Sequence, residues 1–179
     1  LYDRAFAAMR QPDWETQVLE RSRLEAVFLT NDFDDPLSGF DTSRYIPCLR
    51  TDDLVFHFAK ATVQERLAAC TDGAVQTLGD LRTSVRQLFE HFKAHGARAC
   101  AISLPPHFTP TAISDAAGAD ALARVLAGGE NAGADDRSTL GYWVFWELAR
   151  NCVDFQLPFD LMIGVNRAVY PAGVYQGQD

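Results

Sequence analysis

VFLTNDFDDPLSGFDTSRYIPCLRTDDLV, residues 27–55, sets Asp32, Asp34, Asp35, Asp41, Asp52 and Asp53 between two apolar runs. Calcium is the first explanation to test. A helix-flanked calcium loop starting at Asp32 needs glycine at its sixth position and glutamate at its twelfth. Leu37 and Ser43 stand there, so that reading fails. The apolar runs themselves are more telling. AVFLT (26–30) is short and continuous, as a strand covered on both faces would be. YIPCL (45–49) reads as a second strand, weakened by Pro47, which cannot donate to a ladder.

Working outward, PDWETQVLERSRLE (12–25) predicts a helix with Trp14, Val18, Leu19 and Leu24 on one stripe and Pro12 in its first turn. Downstream the apolar spacing changes to three and four. LVFHFAKATVQERLAACTDG predicts one helix and AVQTLGDLRTSVRQLFEHFKAHG another. The second should bury Leu78, Leu81, Val85, Leu88, Phe89 and Phe92 and stop at His95-Gly96, a basic residue followed by a left-handed cap. ARACAISL (97–104) is a third strand, ended by Pro105-Pro106. Helices over SDAAGADALARVLAG and DDRSTLGYWVFWELARNCVDF follow, then a fourth strand, FDLMIGVN (159–166), and a Gly/Pro-containing tail.

Strands alternating with helices predict a parallel α/β sheet. Polar residues gather after each strand, at 31–35, 50–53, 105–109 and 166–170. In a (β/α) barrel those carboxyl ends carry the active site. The aspartates then belong to neighbouring strand ends around one mouth.

Composition narrows the function. With 179 residues and 47% hydrophobic content the chain can bury one core, and residues 1–179 are expected to form a single domain. A net charge of −8 argues against nucleic acid, whose binders carry a basic stripe. No apolar run reaches the roughly 18 residues of a membrane span, and LYDRAFAAMR lacks the features of a signal peptide. Cys48, Cys70, Cys100 and Cys152 are dispersed with no C-x-x-C pair, so free thiols in a reducing cytoplasm are expected.

Four segments in order, FLTNDFDDP, IPCLRTDD, LFEHFKAHGARAC and LMIGVNRAVY, resemble the uronate isomerases of the amidohydrolase superfamily. The family pattern runs through T-D-D-P, L-P-x-x-R-P-D, F-x-A-H-G and H-I-G-A-x-R. The resemblance implies a (β/α)8 TIM-type barrel interconverting aldose and ketose uronates, such as glucuronate/fructuronate and galacturonate/tagaturonate, in carbohydrate metabolism. It implies that this chain corresponds to about strands two to five of a longer enzyme, a fragment inactive by itself. The family's divalent metal, expected to be zinc, sits on an H-x-H motif and a distant aspartate. Neither is matched here, so no metal is expected to be held by this segment, and no catalytic residue is assigned. Two positions depart from the pattern: Met162 replaces the histidine of H-I-G, and CAIS replaces S-D-H.

Within the resemblance Arg50 and Arg167 match arginines that meet the substrate, and a guanidinium fork suits a sugar-acid carboxylate. Asn166 could orient a hydroxyl. Asp34 and Asp35 match the D-D of T-D-D-P, although an aspartate ahead of Pro36 also serves to cap a turn. Arg50 could equally pair with Asp52 or Asp53. His57, His91 and His95 read as structural, while His107 stands near the expected mouth. Tyr142, Trp143, Phe145 and Trp146 read as core packing rather than a sugar platform, and Tyr175 and Gln176 carry no legible role. Two further functions stay open: another amidohydrolase-type hydrolase or lyase on a sugar acid, motivated by Met162, and a non-catalytic partial-barrel assembly module. Four strands leave two open edges, so a homo-oligomer is expected rather than a monomer.

Overall fold

The computed structural model describes residues 2–164. Asn166, Arg167, Tyr175 and Gln176 lie outside the described residues. The chain begins with two helices, α1 (Tyr2–Met9) and α2 (Trp14–Ser22). The strands are β1 (Val27–Phe28), β2 (Asn31–Asp32), β3 (Tyr45–Ile46), β4 (Cys48–Arg50), β5 (Ala99–Leu104) and β6 (Phe159–Ile163). Between β4 and β5 lie α3 (Asp52–Phe56), α4 (Ala61–Cys70) and α5 (Leu78–Ala94). Between β5 and β6 lie α6 (Asp115–Gly128), a 3₁₀ turn (Gly129–Asn131) and α7 (Ala134–Asp154).

All the strand pairs are parallel. β2, β4, β5 and β6 form one sheet in that order, and β1 pairs with β3 beside it. Each of the first two expected strands is therefore two short pieces. In the second, Pro47 separates β3 from β4 because it brings no N–H to the ladder, although its carbonyl still accepts from Arg98 N at 3.3 Å. The first run is not covered on both faces, since Phe28 is 59% exposed. The N-terminal stripe is also looser than its spacing implies: only Leu19 is buried, and Val18 and Leu24 face solvent.

The single helix expected after residue 53 is divided between α3 and α4. Leu54, Val55 and Phe58 are all buried. These three would share one face of a continuous helix as well; the chain nevertheless leaves helical geometry at His57 (φ −127°) and again at Lys60 (ψ 129°), where α4 begins. Gln64 holds the turn by donating its side-chain amide to Phe58 O at 2.9 Å. His57 ends α3 and is exposed, not a core residue.

Side chains alternate across the sheet. Leu49, Cys100 and Ile102 bury one face against Leu81, Val85, Leu88 and Phe89 of α5, Leu122 and Val125 of α6, and Trp143, Val144 and Leu148 of α7. The stripe expected on α5 is buried in full, and Gly96 caps its end at φ 86°. Thr77 begins that helix through a capping box with Asp80. Two close approaches shape α7. A Cβ on Gly141 would stand 2.6 Å from Val55 O, and one on Gly118 of α6 would stand 2.7 Å from Trp143 Cδ1. Buried Glu147 joins α7 to α5 by accepting from Arg82 Nε at 3.3 Å and Arg150 Nη1 at 2.9 Å. Cys48, Ala99 and Ala101 form a separate small cluster on the opposite sheet face.

Candidate functional site

Register places Asp32 beside Arg50 at the carboxyl ends of β2 and β4, and Arg50 beside Ala101 in the middle of β5. Alternation gives these residues the face opposite the helices. Asp32, Phe33, Arg50, Asp52 and Asp53 line a cavity of about 160 Å³ there. Asp32, Asp52 and Asp53 thus meet Arg50 at one mouth, whereas Asp34, Asp35 and Asp41 do not line it.

Each aspartate of the opening stretch has its own task. Asp41 makes a turn, accepting from Ser43 N at 2.9 Å and Ser43 Oγ at 2.7 Å, which holds its carboxyl below the usual range. Asp35 does the same for the loop after β2, accepting from Leu37 N at 2.7 Å and Asn31 Nδ2 at 3.0 Å. That bond and burial hold Leu37 at φ 52°, a left-handed conformation unusual for a branched side chain. Asp52 accepts from Ser103 N at 3.3 Å, tying the first turn of α3 to β5.

Asp34 and Asp53 meet a residue that the sequence reading missed, Arg66 of α4. Its guanidinium donates to both oxygens of Asp34 at 2.8 and 2.5 Å and to Asp53 Oδ2 at 2.8 Å. Asp32 stands 3.5 Å away, and the guanidinium carbon lies 4.6 Å over the Phe33 ring. The hydrogen bond from Arg66 keeps the Asp34 carboxyl below its ordinary value despite the opposing effect of burial. Helical spacing shows Arg66 only as a polar position between Val63 and Leu67. Nothing local marks it as the counter-charge to a loop about thirty residues earlier.

Arg50 is about half exposed, with its Nε 3.3 Å from Asp52 Oδ2. Neither of its terminal nitrogens has a hydrogen-bond partner among the described residues, and Arg50 lines the cavity. A planar pair of donors held from behind by one carboxylate is suited to an incoming carboxylate.

The histidines are structural where partners are seen. His91 Nε2–H donates to Asp35 O at 3.2 Å, and His95 Nδ1–H donates to His91 O at 2.8 Å. Among the described residues no three His, Cys, Asp or Glu side chains form a group able to hold a metal. His107 lies beyond β5 in a different cavity from Arg50. Trp143 and Phe145 are core, whereas Trp146 is partly exposed. All four cysteines are free. Among the described residues no helix is long and apolar enough to cross a membrane.

No protein-family model matches the sequence, and no curated protein matches it in sequence. Solved structures do match. The chain superimposes on the glucuronate isomerase from Caulobacter crescentus with a TM-score of 0.77 and 17% identity, covering 93% of this chain and 36% of that one. It superimposes on the uronate isomerase from Thermotoga maritima with a TM-score of 0.71 and 17% identity, covering 83% of this chain and 34% of that one. The fold is that of a uronate isomerase segment. The expected partial barrel is therefore present, and the chain spans about a third of the length of these uronate isomerase structures.

Proposed function

We propose that this chain is a portion of a uronate isomerase-like enzyme of the amidohydrolase type, acting on a small sugar acid in the cytoplasm. The observation that carries the reading is Arg50, at the carboxyl end of β4, whose terminal guanidinium nitrogens have no hydrogen-bond partner among the described residues and which lines a polar cavity. The shared fold supports the same assignment. Four free cysteines support a reducing compartment.

In this reading Arg50 binds the substrate carboxylate, and Asp52 fixes its orientation from behind. Asp32 lies beside it as an acceptor for a sugar hydroxyl. Arg66 offsets one of the two negative charges of Asp34 and Asp53, so the mouth does not repel an anion as strongly as its aspartates alone would. Asp34 and Asp35 then act by shaping the loop, and Asn166 and Arg167 remain assigned to the substrate by resemblance. Isomerisation moves a proton between C2 and C1 of the open-chain sugar through an enediol, which needs a base and a stabiliser of the enediolate. The described residues do not supply a ligand set for the divalent metal of the family, and none of the steps assigned here runs through one.

The test is a panel of glucuronate, galacturonate, their keto-isomers, a sugar-acid lactone and a sugar-acid ester given to the full-length protein, with products resolved by NMR. Formation of the matching keto- or aldo-uronate is expected. Turnover only of a lactone or a sugar-acid ester would move the assignment to a hydrolase.

A second reading, association through the open flank, rests on β6. Leu161, Met162 and Ile163 on this strand and Val153 on α7 are exposed apolar residues, and β6 is at the edge of the described sheet. Light scattering should find a homo-oligomer that weakens with Ile163→Lys. A monomer at high concentration would remove this reading.

A further inference from the structure

A second cavity, about 350 Å³, lies outside the mouth, between the end of α3, the loop after β5 and the first turns of α7. It is set apart from the Arg50 cavity, with which it shares no lining residue. Its volume falls within the range of small-molecule sites.

One side is aromatic and apolar. Val55, Phe56, Pro105, Phe108 and Gly141 contribute to it. Phe108 is fixed by three rings, its centroid 5.2 Å from Phe56, 5.3 Å from Tyr142 and 5.5 Å from Phe145. The approach of Gly141 to the Val55 carbonyl holds the floor between α3 and α7. This wall is therefore formed before any ligand arrives, which lowers the ordering cost of binding.

The other side is polar and carries a cation. Arg137 lines it together with His107, Ser138 and Tyr142. One Arg137 nitrogen donates to Glu130 O at 2.5 Å, and no carboxylate among the described residues pairs with this guanidinium. Arg50, Arg66, Arg82, Arg86, Arg124 and Arg150 each stand against a carboxylate; Arg4, Arg10, Arg21, Arg23, Arg44 and Arg98 share with Arg137 the lack of such a pair among the described residues, but none of them lines this cavity. A guanidinium with one donor spent retains four more, enough for a two-point grip on an anion.

We infer that this cavity binds a small aromatic carboxylate, with the ring against Phe56 and Phe108 and the carboxylate on Arg137. A single guanidinium matches a monoanion. The apolar wall disfavours a sugar acid, whose hydroxyls would lose water there without finding partners. The site is thus distinct in chemistry from the sugar-acid mouth, and does not depend on that assignment.

Benzoate is the probe, titrated calorimetrically into the full-length protein beside benzamide and glucuronate. Benzoate is expected to saturate at one per chain with a Kd on the order of 1 mM or below, as suits a ligand of its size. Benzamide, which lacks the charge for Arg137, and glucuronate, which lacks the ring and would desolvate hydroxyls on the apolar wall, should each bind this site at least about ten-fold more weakly. Arg137 and Ser138 are exposed, so changing them leaves the core intact. Arg137→Gln should weaken benzoate about ten-fold or more, and Ser138→Phe should abolish binding by filling the cavity, both with unchanged circular dichroism and Tm. Arg50→Ala should leave benzoate binding as it was. The inference is overturned if benzoate does not saturate, if benzamide binds equally well, if Arg137→Gln has no effect, or if Arg50→Ala removes benzoate binding.

Discussion

Replacing Arg66 with methionine removes the charge that four elements share while keeping much of the side chain's apolar length. The guanidinium bonds twice to Asp34 and once to Asp53, stands 3.5 Å from Asp32, and covers Phe33. Its side chain is one-third exposed, so each carboxylate pair is screened toward the surface value of about 0.2–1 kcal/mol rather than the buried one. Three such pairs and one cation–π contact of about 0.5–1 kcal/mol give about 2 kcal/mol for Arg66→Met. For a chain of this size that is a fall in Tm of about 4–8 °C. The pH dependence separates charge from packing. Asp34 has a lowered folded-state pKa because of Arg66. Its contribution is complete above the unfolded value of about 3.9 and is lost as pH falls through the folded value. The variant lacks that depression and loses less on acidification. Thermal melts followed by circular dichroism should therefore show the two proteins converging below about pH 4. Equal Tm values near neutrality, or a gap that stays constant from neutral to acid pH, would refute the reasoning.

Gly141→Ala should destabilise by about 1–3 kcal/mol, because the new methyl meets the Val55 carbonyl at 2.6 Å and helix propensity offsets only part of the strain. Gly79→Ala is the contrasting control: the nearest atom is Thr77 Oγ1 at 3.5 Å, so a gain of about 0.5 kcal/mol is expected in urea unfolding. Against a thiol reagent at neutral pH, exposed Cys70 should react first. Cys48, Cys100 and Cys152 should react only on unfolding, since they are buried and burial pushes Cys48 up to about 11 and Cys100 higher than its ordinary value. Rapid modification of all four thiols in the folded protein would contradict this burial.

The parallel order of strands and the buried stripe of α5 were legible because both rest on local periodicity. Leu81, Val85 and Phe92 recur at helical spacing, and CAIS is continuously apolar before two prolines. The split of residues 54–70 into two helices was not legible. Leu54, Val55 and Phe58 keep a spacing compatible with one helix, so periodicity gives no sign of the turn at His57–Lys60 that divides it. The same limit applies to the site. Arg50 and Asp35 could be singled out through the resemblance, which matches Arg50 to an arginine at a strand end and Asp35 to the D-D ahead of a proline. Arg66 could not, since its partners Asp34 and Asp53 reach it only through the fold. The edge exposure of Phe28 was hidden for a similar reason: an apolar run shows what can be buried, not how many layers are present to bury it.

The account turns on the free fork of Arg50. Its most direct test is the rate of glucuronate isomerisation by the full-length protein and its Arg50→Ala form across a range of substrate concentrations. Arg50 is about half exposed and its one carboxylate pair is screened, so the variant should keep the wild-type Tm within about 2 °C. The account predicts ketouronate formation by the wild type and a loss of at least about ten-fold in kcat/KM for the variant, expressed chiefly in KM. Equal kcat/KM for the two proteins, or no ketouronate from either, would contradict it.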